Sequence, residues 1–103
     1  MTQYPADFIA RIPKTDLHVH LDGSVRLQTL IDIAKEEKVE LPSFTADGLN
    51  ELVFKPEYAD LNEYLRGFGL TNKVMQRAEH LTQIAYELAV DNFEEGVRHL
   101  EVR

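Results

Sequence analysis

His18, His20 and Asp22 follow one another at intervals of two residues in the run Thr15–Gly23, TDLHVHLDG. Imidazole nitrogens are ligands for zinc and other first-row divalent ions, and a carboxylate in phase with them can ligate, orient a ligand or accept a hydroxyl proton. In an extended strand residues two apart face the same way, about 6.5 to 7 Å apart along it, so two imidazoles can converge on one ion. The run alternates accordingly: Asp16, His18, His20 and Asp22 share one face, and Leu17, Val19 and Leu21 the other. A face of imidazoles and carboxylates is costly to bury unless it meets a metal, a ligand or water. The plainer reading of the pair is two solvated neighbours. The carboxylate in phase and the turn at Gly23 and Ser24 favour metal ligation by His18 and His20, at the carboxyl end of a strand, where α/β folds place their sites.

Other reactive side chains have simpler explanations. His80 falls off the apolar stripe of a long helix and is expected in solvent; His99, in phase with Glu101 and Arg103, is expected to pack. Ser24 lies near His20 and Asp22, as in a hydrolase triad, but a serine at a helix start is explained more economically as an N-cap. Leu61, Tyr64, Leu65 and Phe68 recur at i, i+3, i+4 and i+7. They are core residues by default and become pocket residues if their segment folds over the strand ends. No Gly-rich phosphate loop is present, and the absence of Cys excludes thiolate ligands, disulfides and a Cys nucleophile.

The elements that position these residues follow from periodicity. After a lead-in over residues 1–14, a strand is predicted over 15–22 and a helix from Val25 to Lys38. Pro42 and SFTADG close that unit. The stripe from Leu61 to Phe68 predicts a short helix weakened by Gly67 and Gly69, and a long helix is predicted from Lys73 to Glu95. The stripe of the long helix is Val74, Ala78, Leu81, Ala85 and Leu88, with Ile84 and Ala89 beside it, and Gly96 is its stop. Val97 to Arg103 alternates again and predicts a second strand. A strand, intervening helices and a second strand make a βαβ crossover, hence parallel strands and an α/β fold. Two parallel strands cannot bury both faces of a sheet, so the chain reads as one incomplete domain.

Composition limits the partners. With 11 Lys and Arg against 18 Asp and Glu the net charge is −7, and no basic run is present, which argues against nucleic acid or an anionic membrane. The start resembles no signal peptide, and nothing approaches the roughly 20 apolar residues of a membrane span, so a cytoplasmic, soluble protein is expected.

PKTDLHVHLDGSV, Pro13 to Val25, closely resembles the first barrel strand of the adenosine deaminase family within the amidohydrolase superfamily. GVRHLEVR, Gly96 to Arg103, resembles that family's second strand, and AYELAVDNFEEGV, 85–97, is similar to the helix that feeds it. The resemblance implies the N-terminal part of a (β/α)8 TIM barrel, comprising its first two strands and the helices between them. It implies one Zn2+ ion, or another divalent ion, with His18 and His20 as ligands. Asp22 would take the ribose 5′-hydroxyl of a purine nucleoside, with His20 also bordering the substrate. Leu61, Tyr64, Leu65 and Phe68 would fall in the helix that lids the purine. The implied reaction is hydrolytic deamination of adenosine or deoxyadenosine to inosine and ammonia.

The family's remaining metal ligands and its acid–base residues have no counterpart among these 103 residues, so no catalytic residue is assigned here. The remainder of the barrel, in the same or a second chain, is expected to be required for activity. Related deaminases of adenine or another adenine metabolite often carry Glu where this chain has Asp22; the shorter Asp leaves room for a ribose. Two other readings remain: a non-catalytic piece that packs on a partner through its apolar stripes, and a metal-dependent phosphoesterase. Phosphoesterases lack the Leu-Asp-Gly continuation, and their substrates favour more positive charge.

Overall fold

A computed structural model describes residues 3–103. In chain order the elements are α1 (Ala6–Arg11), β1 (Lys14–Val19), α2 (Leu27–Glu37), α3 (Ala46–Leu52), α4 (Leu61–Val74), α5 (Ala78–Glu94) and β2 (Val97–Val102). The two strands pair in parallel, with Lys14 opposite Val97, Thr15 opposite His99 and Val19 opposite Val102. This is the α/β crossover that the alternating segments predict.

The strands are joined at their base by Lys14. Its amide donates to the Gly96 carbonyl at 2.9 Å. Its ammonium reaches the Glu95 carbonyl at 2.7 Å, and with it the Ile12 carbonyl at 3.2 Å. A cation on the last carbonyl of a helix opposes the negative end of the helix dipole. Gly96 follows with φ +90°, a conformation that side chains other than glycine's resist, and so α5 stops where predicted.

The core lies among the helices and not on the sheet. Leu30, Ile31, Ile33 and Ala34 of α2 meet Leu49, Val53, Val74 and Ile84, all buried. Leu17 of β1 and Val102 of β2 stay 58% and 47% exposed. Arg26 ties α2 to α5: its guanidinium donates to both carboxylate oxygens of Asp91, at 3.0 and 2.6 Å. That pairing, chiefly through the hydrogen bonds, holds the Asp91 carboxyl below its ordinary range.

Several boundaries depart from those predicted. The lead-in holds α1; its first two residues lie outside the described part. SFTADG begins a helix, because the Thr45 hydroxyl accepts from the Gly48 amide at 3.0 Å and so caps α3. α4 runs through both glycines to Val74, longer than the short helix predicted, and the helix predicted from Lys73 begins at Ala78 instead. The break at Met75 to Arg77 places Val74 and Ile84 in one core from two different helices. α5 buries the line His80, Ile84 and Leu88, and the predicted stripe residues Ala78, Leu81 and Ala85 are exposed. Ser24 does not cap α2, which starts after Arg26 without a side-chain cap.

No helix among the described residues is long and apolar enough to cross a membrane.

Candidate functional site

β1 carries His18 and ends at Val19, one residue before His20. Strand pairing continues past that point through the backbone: the Arg103 amide donates to the Val19 carbonyl at 2.7 Å, and the Leu21 amide to the Arg103 carbonyl at 2.9 Å. A tight turn then closes on His20, whose carbonyl accepts from the Gly23 amide at 3.2 Å and from the Ser24 hydroxyl at 2.6 Å. Alternation thus survives in the side chains although the regular strand does not.

The outcome is a convergent pair. Nε2 of His18 and Nε2 of His20 lie 3.0 Å apart, with ring centroids 5.0 Å apart and planes tilted by 47°. Two nitrogens each about 2.0 to 2.1 Å from a shared ion stand roughly 2.8 to 3.4 Å apart for angles between octahedral and tetrahedral. The separation of the two nitrogens is therefore that of two ligands on one metal ion. Asp22 Oδ1 lies 3.8 Å from His20 Nδ1, the ring nitrogen not engaged with His18. Asp16, on the same face further back, is half-buried.

Beside the imidazoles lies an aromatic cleft. An open depression of about 410 Å³ is lined by His20, Asp22, Tyr64, Leu65 and Phe68. A second, of about 280 Å³, shares Asp22, Tyr64 and Phe68 with it and continues to Val25, Leu27, Asn50, Phe54, Tyr58 and Thr71. Tyr58, Tyr64 and Phe68 form a chain of edge-to-face contacts, with ring centroids 5.3 and 5.5 Å apart. Two glycines admit α4 to this position. A Cβ on Gly23 would come within 3.2 Å of the Phe68 ring, and one on Gly67 within 2.8 Å of the Phe54 ring.

The entry of α4 is held firmly. The Asp60 carboxylate accepts from the Glu63 amide at 2.8 Å, and Glu63 accepts from the Ala59 amide at 2.8 Å and pairs with Lys55. The hydrogen bond from Lys55, with that from Ala59, lowers the Glu63 pKa.

The structure therefore brings His18, His20, Asp22, Tyr64, Leu65 and Phe68 together. Leu61 stands apart, 67% exposed in the first turn of α4 and lining neither depression. Sequence reasoning missed Phe54, Tyr58, Asn50 and Thr71. Thr71 was detectable, since it extends the Tyr64–Phe68 stripe by one further turn. Phe54 and Tyr58 come from irregular chain that has no period to read.

The remaining histidines differ from expectation. His99 is exposed and sits 3.3 Å from Glu101 Oε2, not packed. His80 is buried, with Nε2 3.5 Å from Glu36 Oε1 and 4.0 Å from Glu37 Oε1. These three side chains could gather a cation, but Arg77 Nε already pairs with Glu37 at 2.9 Å. A metal on Nε2 would also strand a proton on Nδ1, which is buried without a hydrogen-bond partner among the described residues. The cluster is an ionic joint between α2 and α5.

The family model described as adenosine deaminase matches residues 13–103. The chain is 50% identical over 93 residues to an adenosine deaminase of Vibrio vulnificus, covering 89% of this chain and 28% of that protein. It is 44% identical over 96 residues to an adenosine deaminase of Clostridium perfringens, covering 92% and 29%. To one of Shewanella pealeana it is 48% identical over 94 residues, covering 90% and 28%. The chain thus spans under a third of the length of these relatives. A match that takes in β1, the histidine pair, the aromatic helix and β2 places the chain in the adenosine deaminase family.

Proposed function

We propose that the protein carrying this chain is a metal-dependent hydrolase that deaminates adenosine or deoxyadenosine to inosine and ammonia. The chain supplies the first two strands of its (β/α)8 barrel. The observation that carries the reading is the 3.0 Å approach of His18 Nε2 to His20 Nε2 at the edge of an aromatic cleft.

His18 and His20 hold the metal, and zinc suits two neutral imidazoles joined by further ligands from the rest of the barrel. A divalent ion in such a site lowers the pKa of a water molecule so that hydroxide is available near neutral pH. The chain's own residues bind and orient. Asp22, beside His20 and lining both depressions, accepts a hydrogen bond from the ribose 5′-hydroxyl. Tyr64, Leu65 and Phe68 lie against the purine and keep bulk water from it. Leu61 extends the same apolar stripe outward at the first turn of the helix. The residues that move protons come from the remainder of the barrel, in the same or a second polypeptide, and the protein works in the cytoplasm.

An assay of ammonia release by the complete protein tests this reading, with adenosine, deoxyadenosine and adenine as parallel substrates. Both nucleosides are expected to turn over well ahead of the free base. Faster turnover of adenine would move the assignment to a base deaminase. Release from none of the three, by folded and metal-loaded protein, would make the chain a non-catalytic packing element.

A further inference from the structure

We infer that Ser24 is a positioning residue for the imidazole pair, acting through the backbone of His20. The inference rests on the reading of His18 and His20 as ligands. His20 follows the last residue of β1, and its ring is exposed, with no hydrogen-bond partner other than His18 among the described residues. Packing therefore does little to fix where the ring points. The peptide that follows it is fixed instead: its Leu21 amide donates to the Arg103 carbonyl at 2.9 Å, and its His20 carbonyl accepts the Ser24 hydroxyl at 2.6 Å and, more weakly, the Gly23 amide at 3.2 Å.

Capping does not account for this serine. It precedes α2, where a hydroxyl would ordinarily cap the first turn, yet α2 begins only after Arg26 and has no side-chain cap. The hydroxyl is turned back to the site instead. Loss of that bond removes the shortest of the three bonds on the 20–21 peptide, leaves it to the Leu21 and Gly23 amides, and so loosens the tilt that aims the Cα–Cβ vector of His20 at His18. Groups that orient a ligand without touching the metal commonly govern its affinity.

The test uses the complete protein and compares Ser24→Ala, Ser24→Val, Ser24→Thr and His18→Ala. Zinc affinity is read by competition with a chromophoric chelator, and melting of the metal-free protein is recorded beside it. Ser24→Ala and Ser24→Val are expected to weaken zinc about three- to tenfold, the range of one lost hydrogen bond, while Ser24→Thr keeps its hydroxyl and its affinity. Equal affinities for the near-isosteric Thr and Val variants overturn the inference, whatever happens to melting. If those are equal while His18→Ala loses zinc, the ligand reading stands and only the role of Ser24 falls. If His18→Ala binds zinc as tightly as the unaltered protein, the ligand reading falls and takes this inference with it.

Discussion

Nε2 of His18 and Nε2 of His20 lie 3.0 Å apart although only His18 belongs to β1. The convergence comes from a strand that delivers one ring and a turn that delivers the other. The turn is closed on the His20 carbonyl, and Asp22 within it lies 3.8 Å from His20 Nδ1. One short segment thus presents two ligating nitrogens and a carboxylate beside an aromatic cleft.

Asp22 separates substrate binding from metal binding. In the complete protein Asp22→Ala is expected to raise KM for adenosine about tenfold or more, the scale of one hydrogen bond to a charged group, with metal content unchanged. Steady-state kinetics with metal analysis checks this. An unchanged KM would remove Asp22 from the ribose.

Gly67 and Gly69 are expected to respond to alanine with opposite signs, although they sit two residues apart in α4. A Cβ at position 67 would stand 2.8 Å from the Phe54 ring, whereas one at 69 meets nothing within 4 Å. Gly67→Ala is expected to destabilise by about 1 to 3 kcal/mol through overpacking. Gly69→Ala is expected to stabilise by roughly 0.5 to 1 kcal/mol through helix propensity. Denaturant midpoints decide it, and shifts of the same sign would contradict the packing of α4 on Phe54.

Gly96→Ala strikes the joint between the strands. Its φ of +90° strains any side chain, and the new Cβ would lie 3.0 Å from Lys14 Nζ and 3.1 Å from the Ala10 carbonyl oxygen. A loss of about 1 to 3 kcal/mol is expected. A denaturant midpoint equal to that of the unaltered protein would show that β2 enters the sheet by another route.

The acid side of the stability profile should carry the mark of two paired carboxylates. Hydrogen bonds from Arg26 hold Asp91 below its ordinary pKa, and those from Lys55 and Ala59 do the same for Glu63. A carboxyl with a lower pKa folded than unfolded contributes stability above its unfolded pKa and loses it as pH falls through the folded one. Stability is therefore expected to fall between about pH 5 and pH 2. Arg26→Gln should flatten that fall, differing most from the unaltered protein above pH 5. Parallel profiles in urea titrations across this range would contradict the pairing.

What could be read from residue order was whatever had a period. Alternation located both strands, and the glycine after the long helix located its end, because each is a local steric rule. The stripe of Tyr64 and Phe68 was visible for the same reason. The face that α5 buries was legible only in part: Leu88 of the stripe and Ile84 beside it are buried, but contact with α2 turns His80 inward and leaves Leu81 outside. Phe54 and Tyr58 reach the cleft from irregular chain, so only the folded arrangement reveals them. The convergence of two ring nitrogens likewise depends on rotamers and on the turn at Ser24, which spacing alone does not specify.

Metal content of the complete protein, measured by native mass spectrometry on the unaltered form and on His18→Ala and His20→Ala, tests the proposed ligand pair most directly. One zinc-sized increment per chain is expected in the unaltered protein and none in either variant, with all three folded. A full increment retained in both variants would contradict it and leave the 3.0 Å approach as a hydrogen bond between two surface histidines.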